Sequence, residues 1–342
     1  MIPLKDLMLK SFLLFVIFVI CFWNIGVCQS KFPKYPYPLH VIFDTDFGPD
    51  YDDVGAITLL HCFADSGWVR ILATMGSSKY KNAAAAINVF NTYFGRPDIP
   101  IGLVSGNAVE LGDKQHWTDS VVSHYPHKVK NNQDVADALV LYRKILAAQP
   151  DHSVTIITVG FLTNLANLLN SSRDSYSSLN GFDLVKLKVR NLVCMAGRFP
   201  SGREFNLDQD VNSSKKVLTD WPTAILFSGF EIGQKIKTGL ALVQNDKIHN
   251  SPVKDVFSIC IPLSGEDSAG RMSWDETAVL VAVKGWQPYY TLHKGTCTIN
   301  SDGVNEWKNI GYDRAFLVEN VSPLAVSGVI NLLIMHQPMK QN

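Results

Sequence analysis

The chain has 342 residues with 31 basic and 31 acidic side chains, so its formal net charge is zero. A neutral chain without a basic face is not expected to bind nucleic acid. Hydrophobic residues make up 46% of the chain, which is enough to bury a sizeable core. No low-complexity linker interrupts it, so one folded domain is expected after the N-terminal segment.

Residues 1–28 are predicted to be a secretory signal peptide. Lys5 and Lys10 flank the start of an apolar run over residues 12–23, and small residues precede Gln29 at the spacing that signal peptidase prefers. The run is short for a membrane span, which makes an uncleaved anchor the less favoured interpretation. We therefore expect residues 29–342 to form a secreted or extracytoplasmic domain with no membrane contact after cleavage.

Cysteines and glycosylation motifs fit a secreted chain without proving one. Four cysteines follow the predicted signal peptide, at Cys62, Cys194, Cys260 and Cys297. Their spacing matches no zinc motif, and the first two lie in apolar surroundings that predict free core thiols. Cys260 and Cys297 could pair in an oxidising compartment, which the sequence leaves open. Three sequons predict a glycoprotein, at Asn170, Asn212 and Asn320.

Strand-like and helix-like segments alternate along the chain. Apolar or β-branched runs predict strands at residues 41–43, 69–75, 101–104, 154–159, 192–195 and 224–227. Helical patterns predict helices after residue 53 and at residues 82–94, 134–149 and 274–284, the third of these capped by Asp134. This alternation predicts an α/β fold, a single doubly wound domain with a mostly parallel central sheet. Residues 106–132 have no clear period, which is typical of a functional loop.

Five aspartates within ten residues follow the first predicted strand, at Asp44, Asp46, Asp50, Asp52 and Asp53. They occupy a strand-to-helix turn, which is where open α/β sheets place their ligands. Such crowded negative charges need a cation, shared protons or donors from a helix N-terminus. Ligation by oxygen alone favours a hard divalent metal, calcium or magnesium.

The aspartate run alone is ambiguous. It would also suit a haloacid-dehalogenase-like phosphatase, with Asp44 as nucleophile and Asp46 as general acid. Three later segments are informative: residues 158–166 after a buried strand, Glu204 with Asn206, and Trp274 with Asp275 at a helix start. Glu204 and Asn206 are two residues apart, so in an extended segment they would face the same side and suit sugar hydroxyls.

These four segments, in this order, resemble the inosine/uridine-preferring nucleoside hydrolase family over residues 40–338. The family's aspartate motif, DxDxGxDD, is matched by Asp44, Asp46, Gly48, Asp52 and Asp53. Two extra residues inside the motif make Asp50 compete with Asp52 for the same role. The resemblance implies a calcium-dependent hydrolase that splits ribonucleosides into ribose and free base, assembled as a dimer or tetramer.

The resemblance also implies a role for each matched residue. Calcium would be held by Asp46, Asp53, the main-chain carbonyl of Thr163, and Asp275. Asp46 would also take a proton from the calcium-activated water. The ribose would be held by Asp52, Asn206 and Asp275 at its 2′ and 3′ hydroxyls and by Glu204 at its 5′ end. Asp44 is expected to brace the loop without touching substrate, and Asp210 matches the pattern but also suits a helix N-cap.

Trp274 departs from the pattern of members that prefer inosine and uridine, which carry a histidine at this place. Purine-preferring members resemble this chain in having tryptophan there, stacked on the base. A stacked ring stabilises a protonated purine, so Trp274 mildly favours inosine-like purine nucleosides. His116 and Trp117 in the long loop could supply a second face. A third hypothesis is a calcium-stabilised protein that binds nucleoside or ribose without turning it over.

Overall fold

The structure, a computed structural model, describes residues 38–311 and 313–339. The predicted signal peptide lies outside these ranges. Within them, no helix combines the length and apolar character that crossing a bilayer requires. All four cysteines predicted from the sequence to follow the signal peptide lie in these ranges, and each is a free thiol.

The described residues form thirteen strands. They are β1 Leu39–Thr45, β2 Val69–Gly76, β3 Ile101–Leu103, β4 Ala136–Asp137, β5 Val154–Thr158, β6 Val189–Met195, β7 Ser201–Arg203, β8 Ala224–Ser228, β9 Lys237–Thr238, β10 Arg271–Met272, β11 Tyr290–Ile299, β12 Val304–Lys308 and β13 Arg314–Glu319. β9 and β10 pair in a small sheet of their own, and the others form one sheet in the order β4-β3-β2-β1-β5-β6-β8-β13-β11-β12-β7. Strands from β4 to β13 in this order run parallel, and β11, β12 and β7 extend the sheet with antiparallel pairs.

Thirteen α-helices accompany these strands. They are α1 Asp52–Asp65, α2 Ala83–Tyr93, α3 Trp117–His124, α4 Ala138–Ala147, α5 Thr163–Asn170, α6 Gly181–Lys188, α7 Phe205–Gln209, α8 Val211–Asp220, α9 Phe230–Gly233, α10 Leu240–Val243, α11 Pro252–Cys260, α12 Trp274–Lys284 and α13 Pro323–Ile334. The predicted mostly parallel α/β architecture is therefore confirmed.

Apolar side chains cover both faces of the sheet. In β1, Val41 and Phe43 belong to one buried cluster and Ile42 to the other, because successive strand residues point to opposite faces. A strand buried on both faces reads as a continuous apolar run, which explains why β1 and β5 were recognisable in the sequence.

The order of the strands reverses next to β1. The chain leaves β1 toward β2, β3 and β4, and then returns to β5 on the other side of β1. The loops after β1 and β5 consequently diverge and open a crevice at the carboxyl ends of these strands. The aspartate run follows β1 directly, so it lies in this crevice.

One helix begins later than the sequence pattern predicted. Asp134 belongs to a short 3-10 turn, Asn132–Asp134, in which it exchanges capping hydrogen bonds with Asn131. The α-helix starts at Ala138, and the Asp137 side chain caps it by accepting the Val140 N–H. β4 separates the two, and a two-residue strand is too short to leave a periodic signal.

Candidate active site

The aspartate loop after β1 is built around the start of α1. Asp46 follows the strand directly, and Asp52 and Asp53 are the first two helical residues. Gly48 has φ of +147°, a backbone conformation that favours glycine. The Thr45 hydroxyl donates to Asp53 Oδ1. All three carboxylates are therefore held in place and almost fully buried.

Three carboxylates gather where α1 meets α12. Asp52, Asp53 and Asp275 each offer one oxygen, and these oxygens all lie within 4.8 Å of one another. Asp275 is the second residue of α12, so both helix N-termini point at the cluster. Asp53 Oδ2 is buried without a hydrogen-bond partner among the described residues. An unpartnered buried oxygen in an all-oxygen anionic set fits a hard divalent cation.

Burial and mutual repulsion raise the pKa of these groups. The pKa of Asp46, Asp53 and Asp275 lies well above the ordinary carboxyl value, first because burial penalises the charged form and second because neighbouring carboxylates repel it. Burial also raises the pKa of Asp52, and the guanidinium of Arg271 opposes that rise. The cluster is therefore electrostatically strained without a cation.

Glu204 and Asn206 reach the same cavity, but not through an extended segment. Glu204 is the N-cap of the short helix α7, and its carboxylate accepts the N–H groups of Asn206, Leu207 and Gly197 at 2.9, 3.2 and 3.0 Å. Asn206 lies inside that helix and donates to the main-chain carbonyls of Val159 and Met195. The expected extended geometry is wrong, because a capping carboxylate starts a helix at this point.

A cavity of about 230 Å³ joins these groups. Eight of the residues singled out from the sequence line it: Asp46, Asp50, Asp52, Asp53, Glu204, Asn206, Trp274 and Asp275. The Trp274 indole N–H donates to the Phe230 carbonyl at 2.8 Å, and the two rings lie 5.2 Å apart. The cavity thus combines a carboxylate-rich floor with an aromatic wall.

Thr163 does not line this cavity, although it was expected to offer its carbonyl there. It is the first residue of α5, and its hydroxyl donates to Asp210 at 2.6 Å. Val159, which directly follows β5, lines the cavity instead. The next residue, Gly160, leaves no room for a side chain, since a Cβ would lie 2.6 Å from the Asp46 nitrogen. This close approach brings the end of β5 against the aspartate loop.

His116 and Trp117 are also outside the cavity. Trp117 is fully buried and packs edge-on against Phe47 in the core. His116 is exposed, has a positive φ and contacts Asp119 at 3.2 Å. The expected second stacking face is therefore absent from this arrangement, because the loop places its aromatic ring in the core.

Asp44 is a buried bracing residue. Its carboxylate accepts hydrogen bonds from the Tyr142 hydroxyl at 2.7 Å and from the Asn164 amide at 3.2 Å. It is fully buried and does not line the cavity. The phosphatase hypothesis needs Asp44 as an exposed nucleophile, so it is wrong. Asp210, in turn, caps α8 by accepting the Ser213 N–H, as a helix N-cap would.

Arg271 is a cavity residue that the sequence did not reveal. It lies in β10, three residues before Trp274, and its guanidinium contacts Asp50 and Asp52. It is separated from Asp52 by 219 residues in the chain, so no local pattern connects them. Its position beside the Trp274–Asp275 pair was the only available signal.

The fold and this cavity define an α/β protein with a carboxylate-rich pocket at the switch point of its sheet. The family model "Inosine-uridine preferring nucleoside hydrolase" matches residues 41–313. The chain belongs to this family of enzymes, which hydrolyse the N-glycosidic bond of nucleosides. A search of curated proteins found no match.

Solved structures share the fold at low sequence identity. A plant nucleoside hydrolase is 18% identical with a TM-score of 0.67, covering 87% of this chain and 99% of its own. An inosine-uridine preferring nucleoside hydrolase from Bacillus anthracis is 15% identical with a TM-score of 0.66, covering 86% and 99%. A purine-preferring ribonucleoside hydrolase from Gardnerella vaginalis is 15% identical with a TM-score of 0.67, again covering 86% and 99%.

Proposed function

We propose that this protein is a calcium-dependent ribonucleoside hydrolase that releases ribose and free base and mildly favours purine nucleosides. The observation that carries the proposal is the convergence of Asp52, Asp53 and Asp275 with Glu204 and Asn206 in one cavity. Carboxylates and an amide suit a polyhydroxylated sugar, and the anionic set suits a hard cation. Asp46, Asp53 and Asp275 are the proposed side-chain ligands.

The ribose is held from two sides in this proposal. Asp52 and Asp275 lie at the N-termini of α1 and α12, where they accept hydrogen bonds from the 2′ and 3′ hydroxyls of the ribose. Glu204 faces the 5′ end. Asn206 uses its amide N–H groups on Val159 and Met195, which leaves its side-chain oxygen for a ribose hydroxyl. Because each of these groups is fixed by the protein, the sugar is oriented before bond cleavage.

Cleavage builds positive charge on the ribose ring, as in other glycoside hydrolyses. The surrounding carboxylates stabilise that charge. Asp46 is the proposed base, because it lines the cavity and a cation-bound water still needs a carboxylate to accept its proton. A bound divalent cation supplies Lewis acidity that lowers the pKa of a water molecule.

The leaving base is proposed to lie against the aromatic wall. Trp274 is fixed by its hydrogen bond to Phe230, so its ring offers a stable surface at the cavity. Stacking on such a ring stabilises the cationic form of a purine. This supports a preference for inosine-like substrates over pyrimidine nucleosides.

A nucleoside panel tests the proposal. Purified protein is incubated with inosine, guanosine and uridine in calcium buffer, and released reducing sugar is measured. We expect sugar release from all three, fastest with a purine nucleoside, and its loss after chelation. Asp53→Ala should lose calcium binding in calorimetry and sugar release together, because it removes a buried ligand.

Three results would contradict parts of the proposal. Absence of sugar from every nucleoside with calcium present rejects the hydrolase, and thermal stabilisation by ribose in that case would favour the binding-protein hypothesis. Full activity of Asp53→Ala rejects the ligand assignment. Equal rates on inosine and uridine reject the role of Trp274 in selecting the base.

We further propose a secreted, glycosylated enzyme that acts on nucleosides outside the cytoplasm as a dimer or tetramer. The signal-like residues 1–28 and the sequons support this part. Secretion by a eukaryotic host, followed by N-terminal sequencing and light scattering, would test the cleavage site and the oligomeric state.

A further inference from the structure

Arg271 is enclosed by carboxylates at the edge of the cavity. Its Nη2 and Nε atoms both donate to Asp52 Oδ1, at 2.7 and 3.2 Å. Nη2 also donates to Asp50, and Nη1 lies 3.8 Å from Asp267. We call Arg271 and these three aspartates the Arg271 cluster. Two donors on one oxygen and the Asp275 N–H on the other hold the Asp52 carboxylate in one orientation.

Two aromatic rings hold the guanidinium itself. Its central carbon lies 4.8 Å from the centre of the Tyr51 ring and 5.2 Å from that of Trp274. The Tyr51 hydroxyl donates to Asp267 at 2.8 Å, which ties the third carboxylate to the same wall. Arg271 is only 8% exposed, so the cluster is a built feature and not a surface ion pair.

The charge balance of the cluster excludes a simple anion site. Three carboxylates surround one guanidinium, and further acidic groups line the cavity. A phosphate brought to Arg271 would meet net negative charge. The donors of Arg271 are directed at protein carboxylates, so its role is toward Asp52 and not toward a substrate anion.

The two neighbouring aspartates occupy different environments. Asp52 is buried, and its second oxygen accepts the main-chain N–H of Asp275 at 3.4 Å. This hydrogen bond keeps the Asp52 carboxylate close to those of Asp53 and Asp275. The Asp50 side chain is 39% exposed and contacts Arg271 from the solvent side. The two extra residues of the loop thus supply a counter-ion that keeps Arg271 in place.

We propose that Arg271 is a positioning residue that fixes Asp52 in its ribose-binding orientation, and that Asp50 is the counter-ion of Arg271 and not a ribose ligand. This inference rests on the proposed nucleoside hydrolysis and assigns the residue that the two-residue insertion left open. The donors of Arg271 are directed at Asp50, Asp52 and Asp267, so it acts on the ribose through Asp52.

Arg271→Ala tests this role by steady-state kinetics. We expect KM for inosine to rise and kcat/KM to fall by about 10- to 100-fold, the range expected for a lost hydrogen bond to a charged group. Added millimolar guanidinium should restore part of kcat/KM by filling the vacated space. Arg271→Lys should keep kcat/KM below the wild-type value, since an ammonium cannot contact both Asp50 and Asp52 as the planar guanidinium does.

Arg143→Ala is the matched control. Arg143 is also a buried arginine, 2% exposed, and it pairs with Asp174 at 2.7 Å outside the cavity. Its loss should lower Tm without changing KM, and guanidinium should not alter its kinetics. A purely structural role for Arg271 would give this same pattern, so unchanged KM and kcat in folded Arg271→Ala would overturn the inference.

Calcium binding and Asp50 provide independent checks. Calorimetry should show that Arg271→Ala binds calcium at least as tightly as wild type, because a positive charge next to the carboxylates has been removed; weakened calcium binding would overturn the inference. Asp50→Asn should reduce kcat/KM less than Asp52→Asn, and equal losses would make Asp50 a ribose ligand. If the wild type releases no sugar, both the proposed function and this inference are rejected. If the wild type is active and Arg271→Ala is equally active, only the inference is rejected.

Discussion

Asp44 illustrates how neighbours decide the role of a carboxylate in this protein. It lies two residues before Asp46, yet it is fully enclosed and its oxygens are taken by Tyr142 and Asn164. Burial raises its pKa to about 7, and these hydrogen bonds oppose the rise. Asp46 has no such side-chain donors among its described contacts and faces the cavity. Two carboxylates two residues apart therefore serve structure and chemistry separately.

Asp44→Ala should destabilise the fold and spare the metal site. The change leaves the Tyr142 hydroxyl and the Asn164 amide without their partner, which costs about 2–4 kcal/mol of unfolding free energy. Chemical denaturation measures this loss, and calorimetry should show nearly unchanged calcium affinity. Tyr142→Phe is the milder control and should cost about 1 kcal/mol. A calcium affinity that drops more than tenfold in Asp44→Ala would instead make Asp44 part of the metal site.

At the residue scale, the sequence predicted those site residues that stand next to a clear strand or helix pattern in the chain. The aspartates stand at the end of an apolar strand, and Trp274 and Asp275 stand at a helix start, so local pattern located them. Arg271 was missed, because its contact with Asp52 joins residues that lie 219 positions apart in the chain. Trp117 was misjudged, since nothing in an aperiodic loop indicates that its ring packs on Phe47.

At the element scale, α1 and α12 carry the metal-suited carboxylates and pack closely against each other. Gly55 faces Glu276 across this contact, and a Cβ on Gly55 would overlap the Glu276 carboxyl. Both carboxyl oxygens of Glu276 are buried without a hydrogen-bond partner among the described residues. Burial, followed by repulsion from Asp52, raises the pKa of Glu276. The spacing of the two helices therefore depends on having no side chain at residue 55.

Gly55→Ala should push α1 away from α12. We expect a loss of about 1–3 kcal/mol in unfolding free energy, as for other over-packed cores. Calcium binding should also weaken, since Asp53 belongs to α1 and Asp275 to α12. The double variant Gly55→Ala/Glu276→Ala frees the space again and should recover part of the affinity, giving a favourable coupling energy. Additive losses in the double variant would show that the contact is not the cause.

Strands and helices were predictable from the sequence where their own residues carry a clear hydrophobic pattern. The helix α12 and six parallel strands have a clear helical period or continuous apolar runs, and they were predicted; the strands are β1, β2, β3, β5, β6 and β8. The strands β7, β11, β12 and β13 were not predicted. β7 and β13 each pair with a strand far away in the chain, and polar residues interrupt the apolar pattern of β11 and β12. β7 matters most for function: its pairing with β12 places Arg203 opposite Val304 and so fixes the chain just before Glu204.

At the scale of the whole molecule, the fold holds more buried negative charge than it can neutralise. Arg271 is the buried cation in direct contact with the carboxylate centre among the described residues, and Asp46, Asp53 and Asp275 keep raised pKa values despite it. A fold with raised carboxyl pKa values binds protons more tightly than its unfolded chain does. Without a cation, the tighter proton binding stabilises the fold fully below the ordinary carboxyl pKa of 3.8. This stabilisation is lost as pH rises through the raised pKa values of the folded protein.

Calcium should reverse this trend, because it binds the deprotonated carboxylates and competes with protons. We therefore expect chelation by EDTA to lower Tm more at pH 8 than at pH 5. With calcium at about 100 times its Kd, the stabilisation is about 2.7 kcal/mol, or a shift of roughly 4–5 °C in Tm for a domain of this size. Asp53→Ala is the control and should show little dependence on EDTA at either pH. An equal or larger EDTA effect at pH 5 would mean that the carboxylate centre is not what couples calcium to folding.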